Sequence, residues 1–213
     1  MVLAPTLSLR LTVQNRATHP IIFEEALHTY FAISDISTIA ISGLAGTTYI
    51  DKTEAARRKP QTAALVTITT ETDRVYFDTP RQCTIEDRGW RRRNVIEKVA
   101  AASSVVWNPW AAKAAAMVDL SDPAWRGMVC VETGNIADNE VRLAADDEHQ
   151  MSTAISIDCR AVTFSEMTRW SRQRLLTRAV VSFFVFYSGR DRRFVQENAG
   201  SVYQAWLICE GTR

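Results

Sequence analysis

Long apolar runs are missing from this sequence. The longest, Ala179 to Tyr187, falls far short of the ~20 residues that a bilayer-spanning helix needs, so a membrane is not an expected partner. Cysteine is scarce: Cys83, Cys130, Cys159 and Cys209 are widely spaced, and no two form a Cys-x-x-Cys pair. That spacing argues against a zinc cluster or a redox dithiol and implies reduced thiols, so no metal site is expected. The segment Met1 to Asn15 has neither a basic leading region nor a long apolar core. It does not read as a secretory leader, and the cytoplasm is the expected compartment. Charge of one sign is missing as well, with 25 Lys+Arg against 24 Asp+Glu and a formal net charge of +1. A nucleic-acid surface needs a basic excess, so nucleic acid is not an expected partner either. Internal repeats and low-complexity segments are absent.

What is present is the composition of an ordinary globular protein, 46% hydrophobic and 23% charged over 213 residues. Leu7 to Asn15 alternates apolar and polar residues and predicts a half-buried strand. Pro20 to Ile33 predicts a second, after the turn-forming "NRATHP". "STIAISGLAGTTYIDK" predicts a strand, a turn at Gly43 and Gly46, and a short strand ending at Asp51; "KTEAARRKPQ" reads as a polar connection. "ALVTITTETDRVYFDT" predicts two strands, and "QCTIEDRGWRRRNVIEKVA" a hairpin whose charged "EDRGWRRR" is mostly a solvated tip. "SSVVWNPWAAKAAAM" predicts a strand running into Asn108–Pro109 and a helix of roughly two turns. "WRGMVCVETGNI" and "HQMSTAISI" predict the closing strands around a turn at "ADDEH". So many short strands with so little helix predict an all-β sandwich or barrel.

The charge balance is uneven along the chain. Residues 1–157 carry 16 Lys+Arg against 19 Asp+Glu, whereas residues 158–213 carry nine arginines, no lysine and five acids. The chain therefore divides into a strand-rich part, 1–157, and an arginine-rich tail, 158–213, which reads as an appended module, a partner-binding segment or sequence outside the fold. From Ser165 an amphipathic helix followed by a strand is expected.

Two residues are unusual for the strands that carry them. His28 lies among Ala26, Leu27 and two aromatics, on the face of Ala26 and Tyr30. Glu132 follows "MVCV" and shares a face with Cys130. Each alone has an ordinary reading, as a satisfied core or edge histidine and as a strand-end carboxylate. Together, with no Ser or Cys nucleophile elbow and no metal signature, they read as an acid and base pair. A half-apolar setting would raise the carboxylate's pKa toward working pH. Trp107 and Trp110 flank the Asn108–Pro109 turn and either offer a stacking surface or pack the core. Arg91 to Arg93 are unconvincing as a phosphate clamp, because three consecutive strand residues cannot share one face.

"ALHTYFAISDI", "ISGLAGTTYID", "TDRVY", "VVWNPW" and "MVCVETGNI", in this order and spacing, resemble the aldose 1-epimerase superfamily, and within it the glucose-6-phosphate 1-epimerase (hexose-6-phosphate mutarotase) branch. The resemblance implies a galactose-mutarotase-like β-supersandwich and cofactor-free interconversion of the α and β anomers of a hexose 6-phosphate. It assigns His28 as the acid that protonates the ring oxygen, Glu132 as the base at the anomeric hydroxyl, and Asp73 of "DRVY" as a sugar-hydroxyl ligand. Without the resemblance, Asp73 beside Arg74 is an ordinary strand-end charge. Family members begin with a further set of strands carrying an "HGFAR"-like motif with no counterpart here, so the expected fold is N-terminally truncated. Such a truncation would leave exposed strands that favour self-association. Two other functions remain open: a non-catalytic carbohydrate-binding remnant, which follows from the truncation, or an interaction protein that docks through the apolar segment of its tail.

Overall fold

The computed structural model describes residues 6–118, 120, 123–159, 176–187 and 203–208, with the backbone alone from residue 159 onward. β1, Thr6–Gln14, follows the predicted alternation; after it come β2 Ile21–Ala32, β3 Ile39–Ser42, β4 Thr48–Asp51 and β5 Arg57–Pro60. Next come β6 Thr72–Phe77, β7 Gln82–Asp87, β8 Arg92–Val99 and β9 Ser103–Asn108, which leads into the helix α1, Trp110–Ala115. The chain continues through β10 Met128–Asn135, β11 Val141–Leu143, β12 Glu148–Cys159, β13 Leu176–Tyr187 and β14 Tyr203–Ile208.

These strands form two antiparallel sheets. One has five strands in the order β1-β12-β8-β7-β3; the other has nine, in the order β14-β13-β2-β10-β9-β6-β4-β5, with β11 beside β2. Between the sheets, Phe31, Tyr76, Val106, Val129 and Val131 meet Ile41, Ile85, Ile96 and Ile155 in one buried cluster. Period-two alternation does the rest: with Phe31 and Val131 turned into that core, His28, Tyr30 and Glu132 face the opposite side of the larger sheet. The architecture is all-β, two sheets packed face to face.

Several elements differ from expectation. "KTEAARRKPQ" is not a plain connection: Ala55 and Ala56, at φ 50° and 57°, reverse the chain so that β5 pairs with β4. Its Arg-Arg-Lys run reads as polar because it sits on a sheet edge, where charge blunts further pairing. "ALVTITTETDRVY" contains one strand rather than two. Val66 makes a single bridge to Ile41, and its burial with Ile68 is core packing without a ladder. The "EDRGWRRR" tip is only partly solvated, since Asp87 and Arg92 are buried. Asp87 accepts hydrogen bonds from the Ser34 and Trp90 backbone amides, while Arg92 donates to the Ala32 carbonyl, stitching the hairpin base to the end of β2.

Beyond residue 159, β13 pairs antiparallel with β2 from Ala179↔Phe31 to Tyr187↔Phe23, which places its backbone alongside His28 in the larger sheet. The helix expected after Ser165 lies outside the described residues. No helix among the described residues is long and apolar enough to cross a membrane.

Candidate functional site

The outer face of the nine-stranded sheet carries two neighbouring rows of cross-strand partners. One runs Asp73–Trp107–Cys130–Tyr30 across β6, β9, β10 and β2. The next runs Val75–Val105–Glu132, and the pairs Cys130↔Tyr30 and Thr133↔Leu27 on either side bring His28 opposite Glu132. Directly opposed residues have Cβ atoms about 5 Å apart, so side chains from four strands converge on one patch. All three residues singled out in the sequence, His28, Glu132 and Asp73, line a single cleft of about 460 Å³.

At its centre His28 Nδ1 lies 3.3 Å from Glu132 Oε1, with the histidine side chain 30% and the glutamate 5% exposed. Burial pushes the Glu132 carboxyl up to about 8; Lys52 opposes that rise and Asp73 adds to it. Burial also lowers His28 to about 4, and the positive charge of Lys52 acts in the same direction. Both shifts favour the uncharged forms, and moving one proton along the 3.3 Å contact converts that neutral pair to the carboxylate–imidazolium form at no change in net charge.

Apolar and aromatic groups shape the rest of the cleft. Trp107 meets Tyr30 edge to face at 6.2 Å between ring centroids, and Val105 belongs to an outer-face cluster with Val75 and Phe77. Trp107 therefore lines the cleft, whereas Trp110 packs on Trp125 at 4.6 Å and belongs to the core. Buried Asn108 fixes this corner by donating to the carbonyls of Trp125 and Met128 and accepting from the Trp110 amide. Arg91, Arg92 and Arg93 line a separate depression with Glu86, Asp87 and Arg88.

Sequence reasoning missed Lys52. It lies in the 3-10 turn Lys52–Glu54 that follows β4, within the stretch read as a polar connection. Asp51, 3% exposed, holds that turn through Oδ1, which accepts from the Thr53 amide and hydroxyl, and through Oδ2, which accepts from Lys59. Lys52 Nζ lies 3.8 Å from Asp73 Oδ1. The available signal was the Asp-x-Thr spacing at 51–53, a side-chain cap that ends a strand and fixes the direction of the next residue. Among the described residues no cluster of three or more His, Cys, Asp or Glu is arranged to hold a metal ion.

Comparison with known proteins adds to this geometry. The family profile described as Aldose 1-epimerase matches residues 1–156. A protein from Cenchrus ciliaris named "Putative glucose-6-phosphate 1-epimerase" is 33% identical over 158 residues, 72% of this chain and 48% of that protein. One of the same name from Escherichia coli K12 is 35% identical over 116 residues, 54% of this chain and 39% of that protein. The crystal structure of a "putative mutarotase" from Salmonella typhimurium superposes with a TM-score of 0.67 at 27% identity, covering 73% of this chain and 51% of that one. The chain thus spans about half the length, or less, of the curated relatives it matches.

Proposed function

The chain belongs to the aldose 1-epimerase family, and from that premise we propose that its cleft interconverts the α and β anomers of an aldose by acid and base catalysis, with a hexose 6-phosphate such as glucose 6-phosphate as substrate. The observation that carries this reading is the 3.3 Å contact between His28 and Glu132 in the floor of the cleft. In the carboxylate–imidazolium form, Glu132 removes the proton from the anomeric O1. The O1–H electron pair becomes the second bond of the C1=O1 carbonyl. The C1–O5 bond breaks, its electrons stay on the ring oxygen, and His28 protonates that oxygen. Rotation about C1–C2 presents the other face of the aldehyde, and the reverse transfers close the ring as the opposite anomer. The net proton count of the pair is unchanged over the cycle.

The remaining groups position the sugar. Asp73 accepts hydrogen bonds from ring hydroxyls, and Trp107 with Tyr30 offers an aromatic wall to a sugar face. The 6-phosphate rests on the names of the relatives, because Lys52 is the only lysine or arginine among the described lining residues. That same observation favours a second reading, carbohydrate binding without turnover.

The test is polarimetry of freshly dissolved α-glucose 6-phosphate. Acceleration by the parent chain should fall by about 10²–10⁴ in Glu132→Gln and in His28→Ala. Folded parent protein that binds the sugar without accelerating its mutarotation would establish the second reading instead.

A further inference from the structure

Lys52 is not at the end of a flexible loop. The turn that carries it is fastened by Asp51, whose carboxylate meets Thr53 and Lys59 and lies 3.8 Å from Arg74 Nε. The left-handed pair Ala55 and Ala56 closes the turn on its other side. The result is a cation delivered to the rim of the cleft, half exposed, with its ammonium beside Asp73. Among the described residues, the ionisable groups lining the cleft are Glu24, His28 and Tyr30 from β2, Lys52 from the turn, Asp73 from β6 and Glu132 from β10; Glu25 also borders it, with its carboxylate held by Asn135 and His149. The described residues contributed by β9 and the segment after α1, Val105, Trp107 and Met117, are uncharged.

We propose that Lys52 is an electrostatic positioning residue, held over the cleft by the Asp51-capped turn, whose charge fixes the pH range in which His28 and Glu132 share a single proton. The mechanistic meaning of this role rests on the anomerase reading, but the electrostatic effect itself does not. A fixed positive charge disfavours every proton added nearby, so it acts in the same direction on both members of the pair. Lys52 lowers the pKa of Glu132 and of His28, whereas Asp73 raises that of Glu132. Lys52 therefore moves the whole single-proton window toward lower pH. Asp73 opposes it at the alkaline edge.

The chain has three histidines, His19, His28 and His149, so ring resonances are readily assigned by NMR with His28→Ala as the reference. Across a pH titration the His28 ring reports its own protonation and, through the 3.3 Å contact, that of Glu132. In Lys52→Met both inflections should move upward, by roughly half a pH unit. Lys52→Arg should leave them in place, and Asp73→Asn should move the alkaline inflection downward. Inflections that stay at their parental positions in a folded Lys52→Met protein overturn the inference. Because the titration needs no turnover, shifted inflections in a chain without mutarotase activity would sustain this role for Lys52 while ending the anomerase reading. Active protein with unmoved inflections does the reverse.

Discussion

At the scale of single residues, the proposed chemistry depends on where one proton sits. Glu132 is almost entirely buried beneath the cleft, and water that would stabilise its charge is replaced by Val105, Cys130 and the His28 ring. The carboxyl therefore keeps its proton to about pH 8, while the partly buried imidazole stays neutral down to about pH 4. Below the lower value a second proton binds and the pair has no base. Above the upper value the last proton leaves and it has no acid. The anomerisation rate should follow a bell with limbs near those two values, measurable by polarimetry after subtracting the buffer-catalysed rate. Stability follows from the same raised pKa. The folded state holds the Glu132 proton more tightly than the unfolded chain, so its stability declines as pH rises from the unfolded carboxyl value toward about 8. Glu132→Gln removes that penalty. The variant should melt a few degrees above the parent at pH 8 while losing activity, and an equal or lower melting temperature there would contradict the assigned burial effect.

At the scale of elements, the strands that build the cleft were the most legible part of the sequence. Period-two alternation placed β1, the turn-forming "NRATHP" marked the start of β2, and the Asn108–Pro109 pair marked the end of β9 before α1. The same alternation put His28 and Glu132 on side-chain faces that proved to open onto one cleft. β5 was hidden because an edge strand under charge looks like a loop, and Lys52 was hidden with it. Val66 and Ile68 had the composition of a strand but contribute only buried side chains, because tertiary packing fills their place without a ladder. The pairing of β2 with β10 has a requirement no periodicity reveals. A Cβ added at Gly134 would lie 2.6 Å from the Glu25 carbonyl oxygen, so β10 approaches β2 more closely than any side chain there allows. Gly134→Ala should force the strands apart two residues from Glu132, costing roughly 1–3 kcal/mol in denaturant unfolding. The rate should fall further than stability alone accounts for, since a displacement of about 1 Å can cost about a hundredfold. Parental activity in this variant would show that the strand spacing does not govern the catalytic contact.

At the scale of the whole molecule, the fold turns one face of a large sheet into the floor of a cleft by backing it with a second sheet. The core holds the β2–β10–β9–β6 face in place, and a buried polar clasp adds to it. Asn135 Nδ2 donates to Glu25 Oε1 and to the Ala100 carbonyl, while His149 Nε2 from the opposing sheet lies 2.7 Å from the same carboxylate oxygen. Five motifs in register were enough to read the family from the sequence, because each corresponds to a strand or turn that borders this face. The strand expected in the tail is present as β13, but its place beside β2 was not legible, because its apolar run carries no alternation to mark a sheet partner. The most direct measurement of the central claim is exchange NMR on an equilibrated mixture of glucose 6-phosphate anomers, comparing the parent chain with Glu132→Gln and His28→Ala near neutral pH. Exchange cross-peaks between the two anomeric protons that grow with parent protein and return to the protein-free level in both variants are the predicted result. Anomer exchange that is the same with and without the folded parent protein, or that survives in Glu132→Gln, would contradict it.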